Sequence, residues 1–399
     1  MTEIWFQAAL WLGLALIATI LSIYLRIATA LSEIVVGTIA QLIIGALLGA
    51  SILAGDASWV QFLSGAGAIL LTFLAGAELD PGVFRKQWKQ SLIIGLISFF
   101  LPFFLCAALA RWCLGWMPEA SWLAGIAMST TSVAVVYAVM LELEINTSGY
   151  GKTVLAACFV TDLATVIALG LIFSPFTLRT AVFTGVMVVA AFLLPWLTPY
   201  FFKRFGDRPS ELEAKFLMLC LFALGGLASW ADSEAVLPAY LIGMVLAGTV
   251  GKDHVLIRRL RTMTFGLLTP FYFIRAGSLV SLPALAGAPG AFLILLLVKM
   301  LTKLAGVYPV CRWYGSSHQE SMYTTLLMST GLTFGTISAL FGLSHHLINE
   351  AQYSSLVAAV IGSAVLPTLI ANAFFLPRHL LPENDSTRRV TNEGVNKGK

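Results

Sequence analysis

The residues able to do chemistry in this chain are few, and they sit in apolar surroundings. Asp162 is the single carboxylate of the run Leu155-Ala-Ala-Cys-Phe-Val-Thr-Asp-Leu-Ala-Thr165. A helix over about 151–174 gives it 11 residues before and 12 after, which at 1.5 Å per residue is the middle of a membrane span. A charged side chain there costs roughly 2.5–3.5 kcal/mol on insertion scales, so Asp162 reads as a group that binds a proton, a cation, or each in turn. Three basic residues, Arg275, Lys299 and Lys303, also lie within apolar stretches. Arg275 cannot be neutralised by titration, so when buried it needs a carboxylate or carbonyl partner. Asp162 and Glu78 both qualify, and a structural Arg–Glu pair is favoured over a coupling role. Glu78 itself reads equally as a solvated membrane-edge residue beside Asp80 or as a buried helix-pairing group.

The elements that hold these residues follow from composition. Of 399 residues, 58% are hydrophobic and only 11% charged, with mean hydropathy +0.88, against about 25% charged in soluble domains. This is the composition of an all-α polytopic membrane protein. Thirteen apolar stretches are candidate spans: 4–25, 33–53, 59–79, 88–113, 121–141, 151–174, 178–202, 213–231, 235–250, 263–281, 288–311, 319–343 and 352–376. The first has no basic leader or small-residue cleavage site and is expected to be retained. With the N-terminus outside, 19 of the 24 Lys and Arg fall at cytoplasmic ends and only Arg111 and Arg179 at outer ends. That asymmetry predicts N-out, C-in topology in a plasma (inner) membrane. It also assigns the pI of 8.8 to loops facing anionic lipid, with no nucleic-acid partner. The five cysteines show no metal-ligand or CxxC spacing and read as packing residues. Glu33 and Glu320 stand at span starts, where a carboxylate complements a helix N-terminus. Residues 1–377 form the expected membrane domain and 378–399 a short polar cytoplasmic tail. No nucleophile–base pair, metal cluster or phosphate loop points to an enzyme, and no cofactor is expected.

An internal echo supplies the setting for Asp162. Met128-Ser-Thr-Thr-Ser-Val-Ala134 lies in the fifth stretch and Met328-Ser-Thr-Gly-Leu-Thr-Phe-Gly335 in the twelfth, 200 residues apart. Seven spans separate them, so the copies run in opposite directions, as an inverted-topology repeat requires. Ser129, Ser329, Thr330, Gly331 and Thr333 mark places where a helix can break, because hydroxyls re-satisfy the freed backbone groups. Two broken helices crossing at midplane aim dipole ends at an ion, which Thr130, Thr131 and Ser132 could help ligate. Close helix packing by Ser and Thr is the plainer alternative.

The chain resembles the monovalent cation:proton antiporter superfamily, in its bacterial sodium/proton antiporter and potassium-efflux branch. The likeness rests on Ser32-Glu-Ile-Val-Val-Gly37 followed by Gly45 and Gly49, Phe73-Leu-Ala-Gly-Ala-Glu-Leu-Asp80, Ser129-Thr-Thr-Ser-Val-Ala-Val135 and Ala156-Ala-Cys-Phe-Val-Thr-Asp162. It continues with Pro270-Phe-Tyr-Phe-Ile-Arg-Ala-Gly277, Lys303-Leu-Ala-Gly306 and Ser329-Thr-Gly-Leu-Thr-Phe-Gly335. The resemblance implies a homodimer in which a mobile core, here about 88–174 and 288–376, shifts against scaffold helices at about 4–53 and 178–250. Electrogenic members carry paired aspartates and a lysine matching Lys303, with Lys299 four residues earlier on the same helical face. Here Thr161 replaces the first aspartate. A lysine without its carboxylate must be neutral or find another partner, and one competing site favours one-for-one, electroneutral exchange of Na⁺ or K⁺ for H⁺, in the service of pH homeostasis. An electrogenic Na⁺/H⁺ antiporter using Lys303, a channel-like cation conductor and a Na⁺-coupled organic-solute symporter are the alternatives. Arg275 stands where the family more often has a small or apolar residue.

Overall fold

The computed structural model describes residues 2–25, 28–48, 53, 55, 57–77, 81–143, 145, 148–173, 177–206, 211–231, 233, 235–287 and 289–380. Glu78 and the polar tail from 381 onward lie outside the described residues. Among those described there is no strand. The first helices are α1 (Thr2–Leu25), α2 (Thr29–Leu48), α3 (Ser58–Ala77), α4 (Pro81–Trp112), α5 (Pro118–Ser129), α6 (Val133–Glu142) and α7 (Gly149–Phe173). Then come α8 (Leu178–Phe205), α9 (Leu212–Trp230), α10 (Val236–Leu246), α11 (His254–Met263), α12 (Thr269–Ser278) and α13 (Leu282–Gly287). The last are α14 (Pro289–Trp313), α15 (His318–Met328), α16 (Thr333–Ser344) and α17 (Glu350–Phe374). Nine stretches among the described residues are long and apolar enough to cross a membrane. In lipid a backbone must satisfy its own polar groups, and helices do this within one segment.

Three predicted spans differ in form from a plain helix. The fifth and twelfth are the interrupted pairs α5/α6 and α15/α16, as their Ser/Thr and Gly content implies. The stretch predicted at 263–281 starts nine residues earlier, because α11, a π-helical turn at Thr264–Leu268 and α12 follow one another directly. Hydropathy cuts this helix short at Arg258, Arg259 and Arg261, but Asp253 caps it, its Oδ1 accepting from the Val255 and Leu256 N–H groups at 3.1 and 3.0 Å. Glu320 meets the expectation for a helix start: it forms a capping box with Ser317 at the head of α15.

Buried apolar residues gather into two large clusters. One draws mainly on α4, α5, α7, α14, α16 and α17, with a few residues of α2, α3, α6, α10 and α12; the other draws on α3, α8, α9, α10 and α11. Two pairs of helices are fixed by backbone-to-backbone contact. On α2 and α12, a Cβ at Gly37 would strike the Ile274 carbonyl and one at Gly277 the Ile34 carbonyl. On α3 and α10, a Cβ at Gly76 would strike the Tyr240 carbonyl and one at Gly243 the Phe73 carbonyl. Only glycine permits this approach.

Candidate functional site

The breaks in α5/α6 and α15/α16 touch each other. The Ser132 N–H donates to the Thr330 carbonyl at 3.0 Å and the Thr131 hydroxyl to the Met328 carbonyl at 2.9 Å. Other hydroxyls of the two breaks turn back on their own helices: Ser129 to Ile126, Thr130 to Ala127, Ser329 to Thr325 and Thr330 to Leu327, all to carbonyls at 2.7–2.9 Å. Carbonyls at the ends of α5 and α15 thus find partners at membrane depth. Ser132 instead begins α6, its Oγ accepting from the Val135 N–H at 3.4 Å. Thr333 opens α16 and is buried.

Both lysines of α14 reach this crossing, and both are fully buried. The Lys303 Nζ donates to Ser98 Oγ at 2.7 Å, to the Ser129 carbonyl at 2.8 Å and to Thr131 Oγ1 at 3.1 Å. Three acceptors are the full complement of an ammonium, and one of them is the last carbonyl of α5, where a positive charge suits the helix dipole. Lys299 is less provided for. Its Nζ donates to Ser363 Oγ at 3.0 Å, and that hydroxyl lies 3.3 Å from the Gly331 carbonyl. The lysine rests against the backbone of Gly331, where a Cβ would collide with its Nζ.

Asp162, on α7, is 2% exposed. Its Oδ1 has no hydrogen-bond partner among the described residues, and Lys303 is the cation within electrostatic reach. A buried polar atom left so costs about 1–3 kcal/mol, and more when charged, unless something binds it. Thr161 points elsewhere: its hydroxyl lies 3.2 Å from the Gly95 carbonyl of α4 and 3.0 Å from that of Ala157. Arg275 is half-buried and donates from Nε to the Gly55 carbonyl at 2.9 Å, so its described partner is a carbonyl and not a carboxylate. No group of three or more His, Cys, Asp or Glu suited to a resident metal occurs among the described residues.

The sequence profile of the transmembrane sodium/hydrogen exchangers matches residues 8–375. The chain belongs to that family. As a sodium/hydrogen exchanger-family protein, it is 27% identical over 364 residues to a Na⁺/H⁺ antiporter of Enterococcus hirae, covering 84% of this chain and 91% of that one. It is 24% identical over 351 residues to the probable Na⁺/H⁺ antiporter 3 of Methanocaldococcus jannaschii, covering 84% and 89%. Its fold matches that of the sodium proton antiporter MjNhaP1 from M. jannaschii, with a TM-score of 0.69 and 17% identity over 95% of this chain and 98% of the other. The family is one of transporters, in keeping with the absence of enzymatic motifs in the sequence.

Sequence reasoning missed three residues that this exchanger-family protein places at the site: Ser98 and Ser363, which hold the lysines, and Tyr240. Each is a lone polar group in an apolar helix, a pattern also seen at many positions remote from the crossing. Tyr240 carried the best signal, as a phenol inside the apolar run Ala235-Val-Leu-Pro-Ala-Tyr-Leu-Ile-Gly243.

Proposed function

We propose that this protein exchanges a monovalent cation, Na⁺ or K⁺, for H⁺ across the plasma membrane, with both ions competing for Asp162. The observation that carries the reading is the unpartnered Oδ1 of a carboxylate buried beside two crossed helix breaks. A bare carboxylate is opposed by desolvation when it crosses a low-dielectric barrier. Binding either a proton or a cation neutralises it, so the protein moves when loaded with one or the other, and that rule is the coupling. In this reading oxygens of Thr130, Thr131 and Ser132 add neutral ligands for the cation, which requires their hydroxyls to turn from the partners they have in this state.

One carboxylate gives one-for-one exchange. The three acceptors around Lys303 favour a lysine that serves to tie α14 to the end of α5, which supports electroneutral exchange. In this reading α4 to α7 and α14 to α17 form the moving core, scaffold helices from 4–53 and 178–250 pair in a homodimer, and the chain runs N-out, C-in. Proteoliposomes carrying a pH gradient test it. Adding Na⁺ or K⁺ dissipates the gradient with the wild-type protein, and Asp162→Asn abolishes the effect; exchange retained by the variant refutes the assignment.

A further inference from the structure

Tyr240 belongs to one half of the molecule by its backbone and to the other by its side chain. Its helix, α10, lies against α3, α8 and α9, with Ala239, Ile242 and Leu246 buried in the cluster those helices share. The Tyr240 carbonyl is pinned on α3 at Gly76, where no Cβ fits. The Tyr240 ring, however, is fully buried in the other cluster, with Phe159, Val166 and Phe334. It packs edge-on to Phe334 of α16 with ring centroids 5.6 Å apart, and its hydroxyl donates to the Phe159 carbonyl at 3.2 Å. That carbonyl points along α7 toward the next turn, where Asp162 lies three residues on. Asp162 is within electrostatic reach of the phenol, and its Oδ1 is the unpartnered atom already described.

We propose that the Tyr240 hydroxyl is a latch between α10 and the ion-binding helix, one that holds an unloaded Asp162 in place and so keeps the empty site from crossing. The inference rests on the reading of Asp162 as the shared ion site. The physical logic is a choice of acceptors. The phenol has one O–H to give. While Asp162 holds a proton or a cation, the Phe159 carbonyl is the acceptor, a neutral bond that breaks readily as α7 moves. An unloaded carboxylate one turn away is the stronger acceptor, because a hydrogen bond to a charged group is roughly twice as strong as a neutral one. Taking it ties α7 to α10, which the Gly76 contact fixes to α3. The latch therefore engages in the one state whose crossing would let protons pass without cation. Tyr240 is a positioning residue in this scheme: it acts through Asp162.

The test is the cation-independent proton leak of proteoliposomes, measured for the wild type, Tyr240→Phe, Tyr240→Met and each of these combined with Asp162→Asn. Phe and Met both remove the hydroxyl but fill the site differently, so a folding defect in one does not decide the matter. The expected result is a leak raised about tenfold in both single variants, the factor that roughly 1.4 kcal/mol carries, with the apparent KM for cation lowered because the phenol no longer competes for the empty carboxylate, and the leak gone in the double variants. A leak that stays at the wild-type level overturns the latch, as does a raised leak that survives Asp162→Asn, which would mark general damage to packing. Should Asp162→Asn alone leave exchange intact, the ion-site reading fails, whatever Tyr240 does.

Discussion

Replacing Lys303 by Met separates a structural lysine from a proton-carrying one. The substitution keeps a long, unbranched side chain but removes the ammonium and its bonds to Ser98, Ser129 and Thr131. Thr131 keeps its own bond to the Met328 carbonyl. The Ser129 carbonyl and the Ser98 oxygen lose the donor that Lys303 supplies, at about 1–3 kcal/mol for each orphaned buried acceptor. Relief of the ammonium's own desolvation offsets part of this. The net expectation is a loss of about 2–4 kcal/mol, read as a lower melting temperature of the detergent-solubilised protein. Transport is then followed in proteoliposomes with the membrane potential clamped. Wild type and Lys303→Met should both exchange at rates independent of voltage, the variant more slowly. A wild-type rate that follows the potential, together with a variant rate that does not, would make Lys303 a second proton carrier and refute the one-carboxylate stoichiometry.

Two further outcomes follow from the crossing. Lys299→Met removes one hydrogen bond, to Ser363, so the loss of stability should be smaller than for Lys303→Met, at roughly 1–2 kcal/mol; an equal or larger drop in melting temperature contradicts the contrast drawn between the two lysines. Gly331→Ala drives a methyl into the Lys299 ammonium and to 2.8 Å from Thr130 Oγ1, an overpacking of about 1–3 kcal/mol. Its exchange rate should fall severalfold while the protein remains monodisperse, and unimpaired exchange would show that the two breaks do not meet so closely.

Much of this architecture was legible because membrane burial leaves few options. An apolar run of span length must be a helix, and a Ser/Thr or Ser/Thr-Gly stretch inside one is where the backbone can open; the breaks at Thr130–Ser132 and Ser329–Leu332 fall in those stretches. Asp162 stood out since a lone midspan carboxylate has few structural uses. The partners of the basic residues were not legible. Lys303 finds Ser98 and Ser129, 205 and 174 residues away in sequence, and neither has a periodic signature that distinguishes it from hydroxyls that only pack helices. For the same reason the sequence left Arg275 a choice of carboxylate or carbonyl partner, and among the described residues it meets the Gly55 carbonyl, 220 residues away, while Glu78 lies outside them. An arginine is satisfied by either chemistry. The early start of α11 escaped a reading based on hydropathy, because its arginines mask a helix that a single capping aspartate defines.

The central claim is that a proton and a cation cannot occupy Asp162 together. Linkage then requires that cation binding expel the proton. The direct measurement is proton release on adding Na⁺ or K⁺ to the purified protein in weak buffer, at a pH where the site is protonated. About one proton per bound cation is expected from the wild type, and none from Asp162→Asn. Cation binding without proton release, or release undiminished by that substitution, would contradict the account.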